Sequence, residues 1–130
     1  MNHGTAKQPE KFADLRKRFL QFAVRIIRVA MALPNNEVGR LIRAQMLLSG
    51  TSCGANYEEA CGAESRPDFL HKMQVVLKEL RETRYWLQLI LAADLLPASK
   101  MGDICTEADE LIAITVRSLR TARGETHAKP

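Results

Sequence analysis

Asp68 and His71 stand three residues apart, and Glu58, Glu59, Glu79 and Glu82 lie on the segments around them. In a helical bundle such groups could bridge a pair of metal ions. That chemistry needs a Glu from each of two helices and a Glu-x-x-His from each of the other two. Asp68 with His71 is the only acidic-x-x-His in the chain. Solvated or ion-paired carboxylates are therefore expected, with no metal and no cofactor. His3, His71 and His127 show no spacing that suggests a triad, and neither Ser49 nor Ser52 has a base to activate it. Cys53, Cys61 and Cys105 form no CxxC and are odd in number, which points to buried reduced thiols rather than a disulfide framework or a zinc site. The stretch "GTSCG" lacks the GxxxxGK[ST] spacing and the preceding strand of a phosphate loop. No catalytic residues emerge, and no enzyme is expected.

The basic residues offer a different chemistry. Nineteen Lys and Arg against fifteen Asp and Glu give a formal charge of +4, a mild bias compatible with RNA or DNA as partner. The candidate contacts are Arg16, Lys17, Arg25 and Arg28 early in the chain, Arg40 and Arg43 next, and Arg117, Arg120 and Arg123 near its end. On a single copy they would form an ordinary solvated face.

These side chains need elements to hold them. At 130 residues the chain fits one domain, 1–130. It is 46% hydrophobic but only 5% aromatic, so its bulk is aliphatic, as is common in helical bundles. The start, "MNHGTAKQPEK", has no apolar signal region, and no window reaches the roughly 18 apolar residues of a membrane span. A cytoplasmic protein with no membrane partner is expected.

Phe12, Leu15, Phe19, Phe22, Ile26, Val29 and Leu33 step by three and four, the signature of one helical stripe. Pro34 ends that helix, and Asn35 or Asn36 can cap the next. "SRPDF" opens a third helix with Ser65 and Asp68 at capping-box spacing and Pro67 in the first turn. Phe69, Met73, Val76, Leu80, Thr83, Leu87 and Ile90 continue it, and Leu70, Leu77 and Leu91 add a second edge, so this helix needs more than one neighbour. After Pro97 a weaker stripe, Ala108, Leu111, Ile112, Thr115, Leu119 and Ala122, marks a fourth helix. The expected fold is an all-α, antiparallel up-down four-helix bundle, with helices over about 10–33, 36–63, 66–94 and 99–123 and flexible termini.

The second helix must contain "SGTSCGANYEEACGAES". Val38, Leu41, Leu48 and Ala55 are its expected apolar stripe. Gln45, Ser49, Ser52, Asn56 and Glu59 make a polar seam beside it, and Gly50 and Gly54 lie one turn apart. A glycine inside a helix costs about 1 kcal/mol relative to Ala, so a closely crossing helix should offset it, with the polar side chains bonding across the contact. On the third helix, Lys78 and Glu82 have i,i+4 spacing. Lys72, Glu79, Glu82, Tyr85 and Trp86 are read as either a partner-docking surface or ion pairs and an amphipathic aromatic at a subunit contact.

Residues 33–91 carry a specific resemblance. Pro34, Glu37, Gln45, "SGTS" with "GAN" and "EA", "DF" with Lys72, and "KE", "ET" and "YWL" fall in register with the 23S rRNA intervening-sequence protein family, which this chain resembles. The resemblance implies an antiparallel four-helix bundle that assembles into a ring-like homo-oligomer, typically a pentamer, with no established enzymatic activity. It also implies kinship with accessory proteins of diversity-generating reverse transcriptases, where nucleic acid is the suspected partner. The chain departs from the usual pattern at Leu48, where Arg is common, and at Cys53, where Ile is common. In a ring, a modest basic patch repeats into a continuous positive surface that can hold phosphate backbones without reading sequence. Two functions stay open: a nucleic-acid-binding oligomer, and a protein adaptor or scaffold whose protein partner docks on an exposed helix face.

Overall fold

A computed structural model describes the backbone of residues 10–125 and the side chains from Asp14 onward. Four α-helices form it: α1 (Glu10–Ala32), α2 (Glu37–Cys61), α3 (Arg66–Ala92) and α4 (Ile104–Ala122), with a single 3-10 turn, Ala98–Lys100, before the last. No strand occurs among the described residues. The expectation of flexible termini, and the place of Phe12 in the stripe, lie outside what is described.

Cross-helix bonds fix the topology. Arg16 near the start of α1 reaches Glu58 near the end of α2, and Lys72 near the start of α3 reaches Glu59. Arg84 of α3 bonds Asp109 of α4, while Arg18 and Arg25 of α1 bond Glu107 and Asp103. Each helix therefore runs antiparallel to both neighbours, and α1 closes back on α4. In α1 and α3 the spaced bulky residues are the core: Leu15, Phe19, Phe22, Ile26, Val29 and Leu33 are buried, as are Met73, Val76, Leu80, Thr83, Leu87 and Ile90. The wide face of α3 is explained within one chain, because α3 packs against both α2 and α4.

The caps follow the local chemistry. Asn36 accepts a bond from Gly39 N at 2.8 Å, and Ser65 Oγ accepts from Asp68 N at 3.2 Å. The reciprocal half of the expected capping box is displaced by one residue, since the Asp68 carboxylate accepts from Glu64 N at 3.4 Å. Helix α4 begins at Ile104 rather than near 99. Gly102 sits at φ +59°, a left-handed conformation that an α-helix cannot contain, so the 3-10 turn ends and α4 starts afresh behind it.

Helix α2 differs most from expectation. Val38, Leu41 and Leu48 are 52%, 59% and 68% exposed, and Ala55 also faces out. The buried face is Gly39, Ile42, Met46, Ser49, Gly50, Cys53, Tyr57 and Ala60, turned by one residue, or about 100°. The physical reason is the close approach of α1. A Cβ built on Gly50 would lie 2.7 Å from Ile26 Cγ2, and one on Gly54 would lie 3.2 Å from Phe19 Cβ. Phe19 also stacks on Tyr57, with ring centroids 5.0 Å apart. The glycines thus admit α1 of the same chain.

The polar seam does not bond across that contact as a unit. Only Ser49 turns inward, where its hydroxyl lies 2.8 Å from Thr83 Oγ1 of α3, and Thr83 Oγ1 also lies 2.8 Å from the Glu79 carbonyl. Ser52 Oγ and Asn56 Nδ2 return to their own helix, to the carbonyls of Leu48 and Ser52 at 2.6 and 2.9 Å. Gln45 is exposed, and Glu59 accepts from Lys72 Nζ at 2.8 Å.

Candidate nucleic-acid interface

The structure separates the candidate basic residues into two groups. Arg16 makes a bidentate pair with Glu58, at 3.0 Å from Nε and 2.6 Å from Nη2, and that hydrogen bonding holds the Glu58 carboxyl below its usual range. Arg25 is paired with Asp103. Arg43 faces no acid: its Nε donates to the Ala30 carbonyl at 3.0 Å, and its Nη2 to those of Leu33 and Pro34 at 3.1 and 3.2 Å. The Ala30 carbonyl also accepts from Leu33 N at 3.2 Å, while those of Leu33 and Pro34 lie just past the end of α1, so Arg43 acts as a C-cap reaching over from α2. Replacing Arg43 with Ala should lower stability by about 1.5–3 kcal/mol, the range for hydrogen bonds to a charged group. A urea midpoint unchanged from wild type would show that water satisfies those carbonyls equally well.

Lys17, Arg28, Arg40, Arg117, Arg120 and Arg123 are exposed and make no ion pair among the described residues. They do not share one face. Arg28 and Arg40 lie at the end of the bundle where α1 gives way to α2. Arg117, Arg120 and Arg123 lie on the last turns of α4, at the opposite end, where α2 finishes and α3 begins. Arg66, the first residue of α3, is exposed at that same end; as an isolated Arg inside a capping motif it gave no signal in the sequence.

The candidate docking residues are mostly engaged with one another. Trp86 Nε1 donates to Glu82 Oε2 at 3.3 Å, so Glu82 bonds Trp86 rather than forming the expected pair with Lys78. Tyr85 packs edge-on to Trp86, with centroids 5.2 Å apart, and is otherwise exposed. Glu79 is half-buried beside Glu82; burial first, and then the Glu82 charge, raise its pKa.

A surface missed in the sequence accompanies them. Leu20, Val24, Ile27 and Met31 step by four, three and four along the outside of α1, with Leu20 67% and Met31 77% exposed. Leu41 and Leu48 of α2 also face outward. The spacing was visible in the sequence, but the stronger stripe on the same helix hid it.

Nothing in the described residues assembles for catalysis. No group of three or more His, Cys, Asp and Glu could hold a metal ion among them, and Asp68 serves as a cap while His71 is exposed. Burial pushes the Cys53 thiol up to about 12 and raises those of Cys61 and Cys105, the reverse of nucleophile activation. No described helix is long and apolar enough to cross a membrane.

The molecule is thus an up-down helical bundle with capped, ion-paired helices and an unpaired cationic end. It belongs to the 23S rRNA-intervening sequence protein family, whose sequence profile it matches over residues 13–117. It is similar to a protein of unknown function from the S23 ribosomal protein family of Bacteroides thetaiotaomicron, whose crystal structure superposes with a TM-score of 0.76 at 34% identity. That match covers 82% of this chain and 98% of the other. No curated protein matches the chain significantly.

Proposed function

We propose that this chain is a non-enzymatic, cytoplasmic bundle protein that assembles into a homo-oligomeric ring, five copies by the resemblance noted above, and binds nucleic acid through its phosphate backbone. The observation that carries the reading is the α4 trio. Arg117, Arg120 and Arg123 are exposed and form no ion pair among the described residues, whereas Arg16, Arg18 and Arg25 are tied down. Free guanidinium groups repeated by symmetry favour phosphate without reading bases. The names of the family and of the similar structure make RNA the first nucleic acid to try. Three free cysteines suit a reducing compartment.

Replacing all three arginines with Gln should weaken binding to unrelated RNAs roughly ten-fold or more, by a similar factor for each. Filter binding at low salt measures this. Equal affinity for wild type and variant would remove α4 from the interface.

Assembly is assigned to the apolar stripe of α1, because a contiguous exposed apolar surface marks an interaction site. Light scattering should give a multiple of 14.6 kDa for the wild type and the single-chain mass for the Ile27→Glu, Met31→Glu double variant, with its helix content intact. A wild-type mass of 14.6 kDa at micromolar concentration would overturn the assembly.

A protein-adaptor role is the second reading. It is favoured by half-buried Glu79, which forms no ion pair among the described residues and which a partner's Lys or Arg could satisfy, and by the exposed ring of Tyr85 on the same helix.

A further inference from the structure

Where α2 ends, α3 begins and α4 makes its last turn, there is a half-open hollow of about 380 Å³. It is lined by Tyr57, Ala60, Cys61, Ala63, Ser65, Arg66, Phe69 and Ala122. Its polar groups are nearly all occupied within the chain. Ser65 Oγ accepts from Asp68 N, and the Tyr57 hydroxyl and the Cys61 thiol lie close enough to influence each other's titration. What remains is an apolar lining of three alanines, the half-buried ring of Phe69, and the exposed guanidinium of Arg66, which has no ion pair among the described residues. Arg123, also without an ion pair among the described residues, follows directly on Ala122.

An apolar and aromatic floor under a cationic rim suits a flat, uncharged body that carries an anion at its edge. Ligand sites span roughly 300 to 1,000 Å³, so this one is at the small end, with room for a single ring system. We infer that the hollow receives one unpaired base of a single-stranded nucleic acid, with the adjoining phosphate on Arg66 and Arg123. This rests on the nucleic-acid reading above and adds a subsite to it: Phe69 supplies a stacking partner that the arginines alone do not, and stacking tolerates any base.

The test titrates AMP and ribose 5-phosphate into the full chain, followed by ligand-observed NMR, beside retention of duplex DNA on the same preparations. AMP should bind at least ten-fold more tightly than ribose 5-phosphate. Ala63→Leu, which fills the hollow from a turn outside the core, should weaken AMP about ten-fold and leave duplex retention unchanged. Arg66→Gln, at an exposed position outside the core, should weaken AMP while sparing adenosine titrated alongside it. Equal binding of AMP and ribose 5-phosphate, unaffected by Ala63→Leu, would overturn the subsite even where duplex retention keeps the backbone reading intact. AMP binding lost in Ala63→Leu, without any duplex retention, would support the subsite and sink the backbone reading.

Discussion

Gly39→Ala should be among the most damaging single-methyl changes in this protein. A Cβ at that position would lie 1.8 Å from the Pro34 carbonyl oxygen and 2.9 Å from its carbon. The obstacle is backbone, which cannot rotate aside as a side chain can. The α1–α2 turn is also held from three directions. Asn36 accepts from Gly39 N, Arg43 donates to Pro34 O, and Leu33 is buried beneath it. Alanine would gain up to about 1 kcal/mol of helix propensity. Overpacking costs about 1–3 kcal/mol and sometimes more, and here the clash is with fixed backbone. A net loss of about 2 kcal/mol or more is expected, read as a fall in melting temperature at matched protein concentration. An unchanged or higher melting temperature would mean that the turn moves freely.

Phe19→Ala and Leu20→Ala should differ sharply although the residues are neighbours. Phe19 is almost wholly buried, stacks on Tyr57 and covers Gly54. Its truncation should cost about 3–5 kcal/mol, from lost transfer energy and the cavity left behind. Leu20 projects outward, and its truncation should leave the stability of a single copy within about 0.5 kcal/mol. Urea unfolding of both variants at low protein concentration checks the contrast. Similar losses for the two would mean that the face of α1 has been misassigned.

The same contrast shows what could be read from the chain. In α1 and α3 the core is built of bulky residues at three-four steps, and the pattern alone places it. In α2 the core includes Gly39, Ser49, Gly50 and Cys53, and size is what makes them core: a helix pressed close leaves no room for Leu. A reading that seeks bulk therefore selects Leu41 and Leu48, one residue off. The start of α4 was hidden for a related reason, because the left-handed turn at Gly102 depends on how the loop packs. The basic residues were legible as a charge bias but not in their roles. Arg16 finds its carboxylate 42 residues away, and Arg43 is committed to carbonyls that carry no sequence signal. Only the fold distinguishes these from the free arginines of α4.

The central claim is that the unpaired arginines at the end of α4 hold nucleic-acid backbone, and the salt dependence of binding tests it most directly. For a single-stranded RNA, log affinity should fall linearly with log salt, by roughly 0.7 for each phosphate neutralised. If Arg117, Arg120 and Arg123 each neutralise one, the triple Gln variant should show a slope shallower by roughly 2, whatever the sequence of the strand. Identical slopes for wild type and variant, or no binding by the wild type at low salt, would contradict the claim.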